Sequence, residues 1–206
     1  MSEPARGQLV LVRHGETEWS RTGRHTGLTD VPLTERGERL ARALGGLLAG
    51  RRFALVATSP LERARRTAQL AGLGAPDVTL DPDLVEWDYG GYEGLTTPEI
   101  REQLGRPWTV FADGVVPGQT PGESVGQVAA RVGSVLGRVL PWLADGDVAL
   151  VGHGHCLRIL AAVYLLQEPR FAARLQLDAP SVTVLDHEHG TRTIRSWNRT
   201  VDLPAG

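Results

Sequence analysis

Apolar positions in this chain follow two patterns. Residues 8–13 (QLVLVR), 53–58 (FALVAT) and 147–151 (DVALV) are short aliphatic runs, each stopped by polar or turn-forming residues such as His14-Gly15 and Ser59-Pro60. Such runs predict buried strands. Between them, apolar residues recur at helical spacing. Leu40, Leu44, Leu47 and Leu48 share one face after Pro32-Leu33-Thr34, with Thr34 the predicted N-cap. Ser59 and Pro60 predict an N-cap and first turn for a helix running to about residue 71. Val125, Val128, Val132, Val135, Leu136, Val139, Leu140 and Leu143 mark one long amphipathic helix, and residues 156–166 another. Residues 79–84 read as a further strand, and 182–185 with 191–197 as a closing hairpin around Gly190.

Strands alternating with helices predict an α/β fold with a largely parallel central sheet. In such sheets ligands bind beyond the carboxyl ends of the strands. His14 follows the first strand, Arg63 lies in the first helical turn after the second, and His153 follows Val151-Gly152. The topology therefore sends three sequence-distant polar residues to one edge. Residues 86–122, rich in Gly, Pro and Trp, interrupt the alternation and carry one short predicted helix near residues 98–104. A stretch of that length reads as a functional, lid-like excursion from one domain spanning residues 1–206.

Composition narrows the chemistry. At 206 residues and 41% hydrophobic, the chain buries a sizeable core without staples. Its net charge of -2 carries no electrostatic footprint for nucleic acid. Every basic residue is arginine, which excludes a P-loop lysine and Schiff-base chemistry. Cys156 stands alone, so no intrachain disulfide and no cysteine-built zinc site forms; no metal site is predicted. The polar residues 1–7 and the brief apolar run after them suit neither a signal segment nor a membrane span, and a cytoplasmic protein without membrane partners is expected.

Two histidines and two arginines at one edge suit a phosphate. Arg13 and Arg63 offer rigid donor forks for phosphate oxygens. Helix starts behind the strands add backbone N–H donors. A neutral His14 is the natural nucleophile, kept uncharged by its arginine neighbours. His153 is placed to donate a hydrogen bond as charge moves in the transition state. A leaving alcohol needs a proton, and Glu86 is the candidate acid, because Val85 and Trp87 beside it favour a protonated carboxyl.

Arg13-His14-Gly15-Glu16-Thr17 resembles the RHGET signature of the histidine phosphatase superfamily, in its phosphoglycerate mutase-like branch. The resemblance extends along nearly the whole chain: residues 23–37 (GRHTGLTDVPLTERG), Ser59-Pro60-Leu61-Glu62-Arg63-Ala64, Glu86-Trp87-Asp88-Tyr89-Gly90 and Val151-Gly152-His153-Gly154 match further segments in order. It implies a three-layer α/β/α sandwich, phosphorylation of His14, proton donation by Glu86, and hydrolysis of the phosphoenzyme by water, with no cofactor. Arg13, Arg63 and His153 would complete the phosphate pocket, and Ser20, Thr26, Gly27, Tyr89 and Arg158 would approach the substrate. Small phosphorylated metabolites are the implied partners, and many members form homodimers.

Within the branch, mutases resemble this chain less. They carry an Asn where Ser20 follows Trp19, and a basic insertion with paired arginines and a lysine where residues 94–107 are short and lysine-free. The EWDYGGYEG run and HGHCLR are similar to acid phosphatases and sugar-bisphosphatases. A cofactor-dependent phosphoglycerate mutase is the alternative. A remote one is a serine esterase, since Gly122-Glu123-Ser124-Val125-Gly126 matches the G-x-S-x-G elbow, although no strand precedes it. His155-Cys156 lacks the arginine that a cysteine-phosphatase loop requires, because position 162 is Ala.

Overall fold

Alternation within the strands sorts side chains onto two buried faces. In β1 (Leu9–Arg13), Leu9 and Leu11 join one apolar cluster while Val10 and Val12 join another. In β4 (Asp147–Gly152), Val148 and Leu150 separate from Ala149 and Val151 in the same way. Helices cover both clusters. Leu44 and Leu48 of α2 (Glu35–Leu48) and Ala64 and Ala68 of α3 (Glu62–Leu70) lie on the second face. Val128, Val132 and Val135 of α6 (Val125–Val139) and Leu157 and Leu160 of α7 (Gly154–Tyr164) lie on the first. The result is the three-layer α/β/α sandwich. The computed structural model describes residues 7–74 and 78–203, so all but the last of residues 1–7 lie outside it.

The sheet has six strands in the order β3-β2-β4-β1-β5-β6. The strands not yet placed are β2 (Phe53–Thr58), β3 (Val78–Leu80), β5 (Ser181–Glu188) and β6 (Thr191–Arg199). The first four in the order run parallel, and β5 and β6 add antiparallel at the β1 edge. The β5–β6 turn is the two-residue pair His189-Gly190, both with positive φ, a backbone whose twist matches the flanking strands.

Several predicted boundaries move, each for a local reason. Ser59 does not cap α3. Its N–H donates to Val151 O at 2.9 Å, continuing the sheet, and the helix begins at Glu62 with Leu61 as an N-cap that makes no side-chain bond. The cap comes from elsewhere: both Asp30 carboxylate oxygens accept from Glu62 N–H, at 2.9 and 3.0 Å. The strand expected at 79–84 stops at Leu80, because Asp81 caps a 3-10 turn (Pro82–Leu84) that opens on proline. The long helix ends at Val139 and tightens to a 3-10 turn (Leu140–Ala144) around Pro141, which has no N–H for the α-helical ladder. Helix α7 starts two residues before the predicted position, at Gly154.

The excursion folds back rather than hanging free. It holds α4 (Thr97–Leu104) and the short α5 (Val110–Asp113), and Trp87, Tyr89, Tyr92, Ile100, Trp108 and Phe111 are buried in the same cluster as α6 and α7. An unpredicted turn of helix, α1 (Glu18–Arg21), follows the first motif. It is capped by Thr17, whose hydroxyl accepts from Ser20 N–H while Ser20 Oγ accepts from Thr17 N–H.

The G-x-S-x-G match is a helix start. Ser124 is the N-cap of α6: its Oγ donates to Gln127 Oε1 at 2.8 Å and accepts from Gln127 N–H at 3.3 Å. A Ser124→Ala variant is expected to lose about 1 kcal/mol of stability in urea unfolding. A fluorophosphonate probe on the parent protein is expected to leave Ser124 unlabelled.

Candidate active site

The parallel register brings three strand ends level. Arg13 lies opposite Gly152, and His14 N–H donates to Gly152 O at 3.0 Å. Thr58 lies opposite Val151, with Ser59 N–H donating to Val151 O. His14, Ser59 and His153 therefore emerge side by side at the carboxyl edge. The rings of His14 and His153 are 5.1 Å apart between centroids, and both residues are buried.

Backbone contacts fix His14. Gly15 N–H donates to Thr67 Oγ1 at 2.9 Å, tying the loop to α3. A side chain at Gly15 would meet Gly37 O at 2.8 Å, so the loop packs against α2 only through glycine. Glu16 accepts from the Thr34 hydroxyl and from Arg36, which ties the motif to the start of α2. His14 Nδ1 lies 2.7 Å from Gly15 O. A carbonyl can only accept, so Nδ1 carries the proton and Nε2 keeps its lone pair. Burial holds the His14 pKa well below the usual imidazole value, and the Arg63 and Arg13 charges lower it further. A neutral ring with a bare Nε2 is the nucleophilic state of histidine.

His153 is the opposite tautomer. Arg63 Nε–H donates to its Nδ1 at 3.1 Å, so Nε2 carries the hydrogen and donates to Ser59 Oγ at 2.8 Å. Burial, then Arg63, keeps this ring neutral too.

Arg63 is fully buried, and its fork faces a different way from the one the sequence suggests. Nη1 donates to Thr29 O at 2.8 Å, and Nη2 to Gly27 O at 2.8 Å and Thr26 O at 3.3 Å. Arg63 thus clamps the 26–29 loop against His153. Glu93 holds the same loop from outside, accepting from Gly27 and Thr29 N–H at 2.9 and 3.1 Å. Arg13 differs. One Nη1 N–H reaches Leu177 O, while its buried Nε–H has no partner among the described residues. An unpaired buried donor costs about 1–3 kcal/mol, which an anion in the cleft would recover.

Glu86 reaches the site from the excursion. Its Oε1 accepts from Trp87 N–H at 2.9 Å and Cys156 N–H at 2.8 Å, and its Oε2 from His155 N–H at 2.9 Å. The surround is therefore three backbone donors rather than the apolar one expected from Val85 and Trp87. It also corrects a second expectation. Glu62 N–H at the start of α3, and His155 and Cys156 N–H at the start of α7, serve the chain's own carboxylates, Asp30 and Glu86, instead of standing free for phosphate.

A cleft of about 180 Å³ opens on this edge. Arg13, His14, Ser20, Thr26, Glu86, Tyr89 and Arg158 line it, together with Gly23, Arg24, His25, Gly154, His155 and Leu177. Gly27 and Arg63 do not line it, and His153 is buried directly beside His14. Arg158 is held by donation of its Nε–H to Ala172 O at 3.0 Å and by stacking over Phe111. Arg24, His25, His155 and Leu177 are among the lining residues that the sequence reading did not assign to the site. His25 follows Arg24, whose bridge to Thr96 brings the excursion into contact. Tyr89 OH lies 2.5 Å from His155 Nδ1, and the His25 ring packs against Tyr89 at a tilt of 44°, with centroids 4.7 Å apart. No group of three or more potential metal ligands occurs among the described residues.

Four histidines here have lowered pKa values: His14, His153 and His155 well below normal and His25 at about 4, with burial the leading cause in each. The unfolded chain binds protons near pH 6.5 that the folded chain refuses, so stability is full above about pH 6.5 and declines below it. The expected slope approaches about 1.4 kcal/mol per pH unit for each histidine still neutral in the fold. Urea midpoints measured from about pH 7 to pH 5 test this; a flat profile contradicts the neutral assignments.

The model of the histidine phosphatase superfamily (branch 1) matches residues 9–200. An acid phosphatase of Mycobacterium tuberculosis is 40% identical over 189 residues, covering 91% of this chain and 90% of that protein. A 2,3-bisphosphoglycerate-dependent phosphoglycerate mutase 2 of Gloeobacter violaceus is 34% identical, covering 87% and 85%. The solved structure of the open reading frame Rv3214 of Mycobacterium tuberculosis superimposes with a TM-score of 0.86 at 39% identity, covering 94% of this chain and 98% of that one. The chain belongs to the histidine phosphatase superfamily, branch 1, and is a phosphatase.

Proposed function

We propose that this phosphatase hydrolyses small phosphomonoesters through a phosphohistidine on His14. The observation that carries the reading is the His14 tautomer: Nδ1–H bound to Gly15 O leaves the Nε2 lone pair for phosphorus. Nε2 forms the P–N bond as the ester P–O bond breaks, and the departing oxygen takes the electron pair. Glu86 supplies that oxygen with a proton from Oε2, the carboxyl oxygen that accepts only one backbone bond. Water then attacks phosphorus and returns a proton to Glu86, and the P–N bond breaks to restore Nε2 and release phosphate.

The phosphoryl oxygens fall to Arg13, through its unpaired Nε–H, and to His153 through Nε2–H, which exchanges Ser59 Oγ for the ligand. Arg63 acts from behind by its charge and by orienting His153. Ser20, Thr26, Tyr89 and Arg158 face the rest of the substrate, and Gly27 shapes the loop that Arg63 holds. The cleft volume admits a phosphate with a short carbon skeleton, and Arg158 and Arg24 favour a second anionic group. Residues 86–122 form the specificity wall of a single catalytic domain. A cytoplasmic setting fits a lone, buried Cys156, and no described helix is long and apolar enough to cross a membrane. A homodimer remains the expectation from the family.

The experiment is chemical trapping. Rapid quench with labelled substrate is expected to leave acid-labile, base-stable phosphate on His14, and His14→Ala is expected to lose both label and turnover. Turnover of 4-nitrophenyl phosphate by His14→Ala overturns the reading. Isomerisation of 3-phosphoglycerate without phosphate release, assayed with and without 2,3-bisphosphoglycerate, would instead assign the mutase activity.

Glu86→Gln is expected to slow alkyl phosphates by about 10²–10⁴-fold, the usual worth of a general acid. It should slow 2,4-dinitrophenyl phosphate far less, because that phenolate leaves without a proton.

A further inference from the structure

Residues 83–88 carry Glu86 but belong to neither a strand nor an α-helix. Three of their carbonyls, on Asp83, Val85 and Glu86, turn to one side chain. Arg131 Nη1 donates to Asp83 O and Val85 O, both at 2.8 Å, and Nη2 to Glu86 O at 3.1 Å. Its remaining donors go to Glu123: Nε to Oε1 at 2.8 Å and Nη2 to Oε2 at 2.9 Å. All five guanidinium N–H groups are thus used on five oxygen acceptors, and Cys156 Sγ is a further, longer contact of Nη1 at 3.6 Å.

Glu123 holds the other flank. Its Oε2 accepts from Asp88 N–H at 3.0 Å, its N–H donates to Asp88 O at 2.9 Å, and its carbonyl accepts from Trp87 Nε1–H at 2.7 Å. Both charged side chains are largely shielded, at 13% exposed for Arg131 and 20% for Glu123. A partly buried ion pair recovers its desolvation cost only with good geometry and further hydrogen bonds, and this pair has both. Those bonds converge on the backbone on either side of Glu86, while the α7 N–H groups hold its carboxylate from the opposite side.

We propose that Arg131 and Glu123 are positioning residues for the proton donor: they fix the backbone of residues 83–88 so that the Glu86 carboxyl meets the leaving oxygen. Neither lines the cleft, so neither touches substrate. The inference rests on Glu86 being the general acid. In the G-x-S-x-G segment the residue tied to the site is thus Glu123, as a positioning group, while Ser124 caps α6. Lysine at position 131 has only three donors and no planar fork, so it cannot serve all five acceptors.

The test uses Arg131→Lys and Glu123→Gln, each checked for native near-ultraviolet circular dichroism, with kcat/KM measured on an alkyl phosphate and on 2,4-dinitrophenyl phosphate. The expected result is a loss on the alkyl ester at least about tenfold greater than on the aryl ester, part of the general-acid contribution. In the Glu86→Gln background, adding Arg131→Lys is expected to leave the ratio of the two esters unchanged. An equal loss on both esters, or full additivity with Glu86→Gln, overturns the proposal and reduces the pair to a structural ion pair. Should Arg131→Lys fail to fold, Glu123→Gln carries the same comparison. If Glu86→Gln alone discriminates the esters while Arg131→Lys and Glu123→Gln do not, this inference fails and the catalytic reading stands. If Glu86→Gln itself does not discriminate, both fail.

Discussion

The site depends on the level at which three parallel strands end. β1, β2 and β4 share a ladder whose last rungs are His14 N–H to Gly152 O and Ser59 N–H to Val151 O. A strand register cannot slip by one residue without exchanging its two faces, and both faces of this sheet are buried against helices. The packing of Leu9 and Leu11 into one layer and of Val10 and Val12 into the other therefore fixes where His14 emerges, although none of those residues lines the cleft. A displacement of one residue would cost the core as well as the chemistry.

Onto that rigid edge the fold places positive charge that it then desolvates. Arg63 and Arg13 stand close to two imidazoles, and the consequence is electrostatic: neutral rings are favoured and anions attracted. The two arginines divide the work. Arg63 spends its donors on Thr26, Gly27, Thr29 and His153, so it organises the pocket. Among the described residues Arg13 keeps a buried N–H unpaired, so it retains capacity for a ligand. Three N–H groups at the helix starts, on Glu62, His155 and Cys156, are taken up by Asp30 and Glu86.

Much of this was legible in the sequence because it is periodic or local. The strands at residues 8–13, 53–58 and 147–151, the Thr34 cap and the hairpin around Gly190 follow from continuous apolar runs, capping chemistry and turn chemistry within a few residues. The convergence of His14, Arg63 and His153 on one edge follows from topology. Other features were not legible, since they depend on which loop lies over which. Ser59 looks like a helix cap until β4 is seen to claim its N–H and His153 its hydroxyl. Arg63 looks like a phosphate fork until residues 26–29 are seen to lie across it. Val85 and Trp87 suggest an apolar surround for Glu86, yet backbone donors from α7, ~70 residues later, make up most of it.

The absence of lysine acquires structural weight at Arg131. Residues 83–88 leave the sheet edge with carbonyls that no ladder satisfies, and an unpaired buried carbonyl costs about 1–3 kcal/mol. Filling three such sites and a carboxylate at once requires several donors in a fixed plane, which guanidinium provides and ammonium does not. Substitution of Arg131 by lysine would thus conserve charge while stranding carbonyls on the segment that bears Glu86. The excursion is tied down most firmly where it carries the carboxylate, and Trp87 and Tyr89, buried on either side of Asp88, extend that anchorage into the core. The placement of Glu86 and packing in the α6–α7 layer are therefore one constraint: α6, which packs in that layer, also supplies Arg131.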